Sequence, residues 1–199
     1  MTENYIKFAY ICLCFLIALG SYWFCRSKKD WAWLSVAMGF TLISDYFLVI
    51  ARNYPFGVFT FCFVHMLYIY RVTPDSKKTR LFGFAVAVLI NVLVFLVTLR
   101  YVPALIAYSA IYATLFSINL IVHIKYYRNG GPNRHIMLLG LILFALCDIH
   151  VLMFNLPQFV PAISPEIGVW GLRWIWFFYA PSQMLLSLSA VKWRQRRLS

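Results

Sequence analysis

Two aspartates stand where a charge is expensive. Asp45 lies in "LISDYFLVI", residues 42–50, and is the only charged side chain from Trp31 to Ala51. Asp148 lies in "LFALCDIHVLMF", residues 143–154. An ionised carboxylate at the middle of a membrane helix costs about 2.5–3.5 kcal/mol on insertion scales, and such residues mark functional sites by default. The plain alternative is a structural ion pair, but no basic side chain other than histidine lies at their depth. Two buried carboxyls can divide acid and base work between them, or hold protons in transit.

Depth groups further residues with them. Asp45 precedes Arg52 by seven residues and Asp148 precedes Pro157 by nine, which at 1.5 Å per residue puts both about 10–14 Å below the outer surface. The same count puts His65, Tyr108, Asn91 and Tyr179 at about 8–13 Å, and Gln183 about 15 Å below Arg173. Polar groups from six helices then gather in the outer half of the bilayer. A cavity open to the outer leaflet or outer solution satisfies them together. Taken singly, Asn91 or Tyr108 reads as glue between helices, and His65 as a hydrogen-bonded structural histidine. Tyr179 and Gln183, four apart, share a helix face, as do His65 and Tyr68, three apart. Arg52 falls on the face of Asp45 two turns nearer the surface, where it either holds a phosphate or snorkels to the interface. Pro181 frees the carbonyl of Phe177 and opens its helix beside the pocket.

Metal chemistry is disfavoured. Asp148 and His150 are two apart on a helix, so they point about 200° from each other and cannot grip one ion. His123 and His135 fall near the other interface, and no H-x-x-x-H pair occurs. Neither G-x-S-x-G nor a Walker sequence is present. The five cysteines, Cys12, Cys14, Cys25, Cys62 and Cys147, lie within or at the ends of apolar runs and read as small buried hydrophobes.

The elements that position these residues follow from composition. The chain has 199 residues, 63% hydrophobic and 12% charged, where a soluble domain carries roughly a quarter charged. Seven apolar segments, 5–24, 31–51, 56–70, 81–99, 103–124, 135–156 and 167–191, approach the roughly 20 residues a membrane helix needs. None alternates as a barrel strand does. The expected fold is all-α: a polytopic membrane bundle of about seven transmembrane helices, one domain over 1–199, in the cell membrane as a multi-pass protein. The net charge of +12 invites a nucleic-acid reading, but 14 of the 18 basic residues lie at alternate helix ends. Only Lys7, Arg52, Arg100 and Arg173 lie on the other side. The positive-inside rule then places the N-terminus outside and the C-terminus in the cytoplasm, with no nucleic acid as partner. The tail "KWRQRRLS" reads as a topology anchor against anionic lipid. The first helix carries its charges after the apolar run, the reverse of a cleavable signal. "RNYPFG" is short enough to make the second and third helices a hairpin, and "PQFVPAISPEIG", with three prolines, is expected to be an irregular outer loop. Asp45 with Asn53 and Pro55, and Asp148 with Asn155 and Pro157, form a faint repeat.

The series "SDYFLV", "FVHMLYI", "AYSAIY", "FALCDIHVL" and "YAPSQMLLSL" resembles the YhhN family of lysoplasmalogenase-like membrane proteins over about residues 35–190. The family pattern falls on Ser44-Asp45, His65 and Tyr68, Tyr108, Cys147-Asp148, and Tyr179 with Gln183. Family members commonly have eight helices, and this chain has one fewer before the first aspartate helix. The resemblance implies hydrolysis of the vinyl ether of a lysoplasmalogen, a lysophospholipid, without a cofactor. Asp45 and Asp148 would be catalytic, one protonating carbon and the other stabilising the cation or activating water. His65, Tyr68, Tyr108, Tyr179, Gln183 and Arg52 would bind substrate, with membrane lipids as the other partners. A proton-coupled transporter, or a lipid-binding or lipid-exporting protein using the same aspartates, is the alternative.

Overall fold

The computed structural model describes residues 2–73, 104–126, 132–160 and 162–192, with seven positions between 83 and 97. Among these residues run six helices: α1 (Thr2–Gly20), α2 (Lys28–Asp45), α3 (Tyr54–Val72), α4 (Ala104–Tyr126), α5 (Pro132–Phe159) and α6 (Pro165–Leu188). A 3₁₀ turn (Ser21–Phe24) extends α1, and a π-helical turn (Tyr46–Ile50) extends α2. The expected span 81–99 lies largely outside the described residues. Gly83, Val86, Ala87, Ile90, Asn91, Leu93 and Val97 within it are helical.

Side-chain caps start three of the helices. Ser27 caps α2 by accepting from the Asp30 N–H, Asn53 caps α3 from Phe56, and Ser164 caps α6 from Glu166. Proline in the first turn of α3 and α6 fits its missing N–H and fixed φ. Five helical stretches, Thr2–Phe24, Lys28–Ile50, Tyr54–Val72, Ala104–Tyr126 and Asn133–Phe159, are long and apolar enough to cross a membrane. α6 is as long, at 24 residues, and is not among these five. Apolar side chains also cover the outside: Ile6, Leu16, Ile121, Leu152 and Phe177 are 60–70% exposed, as a lipid-facing surface requires.

Successive helices pack on one another, and α6 returns to pack on α1, so the six close a ring. Close approach is built with small residues. A Cβ on Gly171 would come within 2.6 Å of the His150 carbonyl oxygen and 2.8 Å of the Phe154 nitrogen, so only glycine lets α6 lie against α5 there. A Cβ on Gly57 would strike Leu48, which fixes the α2–α3 hairpin. Ser182 Oγ donates to the Gly140 carbonyl across α5 and α6, and Ser44 Oγ to Thr60 Oγ1 across α2 and α3.

One end of the ring is tied by polar bonds. Arg71 at the end of α3 donates from Nε and Nη2 to both carboxylate oxygens of Asp30 in α2, at 2.7 and 2.8 Å. Its Nη1 reaches Ser189 Oγ just past α6. Asn133 of α5 donates to the carbonyls of Ser189 and Val191, and Arg134 to that of Tyr126. We call this the basic end.

Three expectations change. α5 runs on as helix through Pro157 to Phe159 and α6 begins at Pro165, so the described irregular part of the proline-rich stretch is Val160 and 162–164. Pro157 is near the helix end, and its ring is received over Gly168, where a Cβ would lie 3.5 Å from Pro157 Cγ. Arg52 does not continue the face of Asp45: the α-helix gives way to the π-turn at Tyr46, and Arg52 stands beyond it in a turn with φ 54°. The faint repeat does not extend past the aspartates, because Asn53 caps α3 whereas Asn155 lies inside α5 and donates to the Val151 carbonyl.

Candidate functional site

Each aspartate meets a tyrosine. The Tyr179 hydroxyl of α6 donates to Asp45 Oδ2 at 2.5 Å, and the Tyr112 hydroxyl of α4 donates to Asp148 Oδ2 at 2.7 Å. Asp45 is 3% exposed at the last α-helical residue of α2, whereas Asp148 is half-buried in the middle of α5. The two pairs share one neighbourhood. Buried Cys147 is near enough to both carboxyls to feel their charge, and Tyr179 is near enough to feel Tyr112. The Phe144 ring lies 5.5 Å from that of Tyr179, 5.7 Å from His65 and 5.6 Å from Phe116, joining the pairs through an aromatic wall.

The other expected residues divide. His65 is fully buried on α3 with its ring 5.0 Å from Tyr112, and its Nδ1 is 3.1 Å from Asn119 Nδ2. Gln183 is fully buried one turn beyond Tyr179, and neither of its amide atoms has a hydrogen-bond partner. Tyr68 is buried with its hydroxyl on Met38 Sδ at 3.5 Å. Tyr108 is not the tyrosine that meets Asp148. It packs on Phe59 at 5.3 Å, one turn before Tyr112. Asn91 turns its amide back to the Ala87 carbonyl. His150 turns to the Leu146 carbonyl and stacks on Phe178, away from Asp148. Among the described residues no group of three or more His, Cys, Asp or Glu could hold one metal ion.

Residues outside the expected set also build the site. Tyr112 stands four after Tyr108 in the same "AYSAIY", so the sequence displays both tyrosines but not which one sits level with the carboxyl. α1 contributes as well: Tyr10 donates to the Ala180 carbonyl at 2.8 Å, and Cys14 lies close to Asp45. Lys7 sits 5.4 Å over the Trp176 ring, which in turn lies 5.2 Å from Tyr179, and pairs with Glu3. Arg173 lines a surface groove of about 210 Å³ with Trp170, Trp174 and Phe177. That groove uses exposed residues of α6, whereas Tyr179 is buried.

A phenol bound to one carboxyl oxygen leaves the other to carry a proton or meet a ligand. Two such carboxyls in one neighbourhood suit proton transfer to and from a neutral substrate. Sequence comparison finds that a model of the YhhN family matches residues 3–190, which brings α1 into the matched region. No curated protein and no solved structure matches the chain.

Proposed function

This chain belongs to the YhhN family, and from that premise we propose that it is a membrane-embedded hydrolase that cleaves the vinyl ether bond of lysoplasmalogen-type lysophospholipids. The observation that carries the reading is the pair of tyrosine-held carboxyls, Asp45 with Tyr179 and Asp148 with Tyr112, in one aromatic-walled neighbourhood.

The chemistry needs an acid and a base. Asp148 is the less buried of the two, which suits it to the water-activating role. That leaves Asp45 as the acid. Its carboxyl proton goes to the outer carbon of the vinyl group, and the ether oxygen shares its electrons to form an oxocarbenium ion. Water adds to the carbon next to that oxygen while Asp148 takes its proton, giving a hemiacetal. The hemiacetal collapses to a fatty aldehyde and the glycerol hydroxyl of the head group, and the proton returns to Asp45. One water is consumed and no charge is left over. Tyr179 and Tyr112 hold the carboxyl planes and answer the changing charge on Oδ2. An aldehyde-release assay on purified protein with a lysoplasmalogen tests the reading. Product formation supports it, and an inert wild type across several vinyl ether lipids sinks it.

A second reading, proton-coupled transport, draws on the buried polar residues Asn119 and His123, which continue from the site toward the basic end. Proteoliposomes that move protons or lipid while releasing no aldehyde would favour it.

A further inference from the structure

α4 carries Tyr112, Phe116, Asn119 and His123 at intervals of four, three and four, along one helix face. Phe116, Asn119 and His123 are buried there, and α3 sets fully buried His65 against them. The polar members are linked. Tyr112 donates to Asp148 and meets the edge of the His65 ring; Asn119 Nδ2 lies on His65 Nδ1; His123 Nδ1 lies 2.9 Å from the Asn119 carbonyl. Eleven residues of helix cover about 16 Å. The row therefore starts at the Asp148 carboxyl and ends where His123 comes within electrostatic range of Arg71 and Arg134 at the basic end.

The row is not saturated. His65 Nε2 and Asn119 Oδ1 belong to side chains with no exposed surface, and neither atom has a hydrogen-bond partner. With the Asn119 amide donating to Nδ1, the neutral His65 ring carries its hydrogen on Nε2, so the open atoms are one donor and one acceptor. Buried polar atoms in folded proteins are satisfied by protein or by ordered water, and a buried water needs two to four such partners. A lock between α3 and α4 requires a single hydrogen bond. It does not require a second buried histidine, nor two open atoms on the locking pair.

We infer that Tyr112, His65, Asn119 and His123 form a water path that reaches Asp148 from the basic end of the bundle. The path is a property of the fold. Only its use, supplying the water consumed in each turnover, rests on the hydrolase reading. Phe61, Phe116 and Phe144 wall Tyr112 and His65 on the described sides, so the polar row is the hydrated approach between them.

X-ray hydroxyl-radical footprinting of the protein in nanodiscs tests the path, because radicals formed from bound water label the side chains beside it. His65 is expected to be labelled severalfold faster than Tyr68, which is equally buried but off the row. Asn119→Leu, which keeps the volume and removes the polar atoms, is expected to cut that labelling severalfold while lipid-facing Phe177 is unchanged. Asn119→Asp keeps the polarity and is expected to retain it, which keeps the test decisive if the leucine variant folds poorly. Labelling of His65 no faster than Tyr68 in the wild type, or labelling of Tyr112 and His65 undiminished in folded Asn119→Leu, overturns the path. In the aldehyde assay Asn119→Leu is expected to lower kcat about tenfold with KM unchanged, with recovery in Asn119→Asp. An inert wild type whose footprint behaves as expected removes the hydrolase reading and leaves the path; an active enzyme with a dry row does the reverse.

Discussion

Asp45 and Asp148 accept the same bond from the same kind of partner, yet the fold holds them in different ways. Tyr179 reaches Asp45 from 134 positions along the chain, out of α6 and past α1 to α2. Tyr112 reaches Asp148 from 36 positions away, between consecutive helices α4 and α5. Asp45 is sealed at 3% exposed beside the Ser44–Thr60 bond, and the helix turns to π geometry immediately after it. Asp148 sits in unbroken α-helix and is half-buried. The first pair therefore depends on closure of the whole ring and the second on one helix contact. An acid that must not exchange with solvent and a base that must meet water would be divided in this way.

The largest expected effect is on chemistry. Asp45→Asn and Asp148→Asn should each lower aldehyde release by about 10²–10⁴-fold, the usual worth of positioned acid or base catalysis. Asparagine keeps the tyrosine bond at Oδ1 or Nδ2, so both variants should remain folded. Full activity in either variant removes that aspartate from the mechanism and ends the division of roles.

Stability should separate the two pairs next. Tyr179→Phe strands a sealed carboxyl and should cost about 2–3 kcal/mol, the upper range for a buried polar group left without its partner. Tyr112→Phe strands a carboxyl that is only half-buried and should cost about 1 kcal/mol or less. Unfolding midpoints of the two proteins in the same detergent provide the measurement. Equal losses would mean that exposure does not distinguish the sites.

Variants at the basic end ask whether the aspartate site is independent of it. Arg71 is 7% exposed on its side chain and makes a two-pronged bond to Asp30. Arg71→Gln should cost about 2 kcal/mol of stability and leave KM for lysoplasmalogen within twofold. A large rise in KM would show that the clasp shapes the pocket from the far end. Smaller still is the effect of crowding the α5–α6 contact. Gly171→Ala should cost about 1–2 kcal/mol through its clash with the His150 carbonyl. Gly20→Ala, with nothing within 4 Å of the added carbon, should stay within about 0.5 kcal/mol of wild type. If both substitutions are silent, the close α5–α6 approach carries no strain to relieve.

Much of this architecture is legible in the amino-acid sequence. Apolar run length is a local property, so the positions of the described helices can be read to within a few residues, and so can the two aspartates in apolar surroundings and the shared face of Tyr179 and Gln183. What the sequence leaves undecided is rotation and phase. Tyr108 and Tyr112 lie one turn apart on one face of α4, and only packing of α4 against α3 and α5 brings the second level with Asp148. The π-turn after Asp45 shifts the phase of everything beyond it, so a count of residues to Arg52 loses its geometric meaning. Pairings such as Tyr179 with Asp45, Arg71 with Asp30 and Asn119 with His65 join helices whose order around the ring is set by small-residue contacts and long-range packing. A membrane helix sequence states that its polar groups must find partners, because lipid supplies none; the tertiary structure decides which partner each one finds.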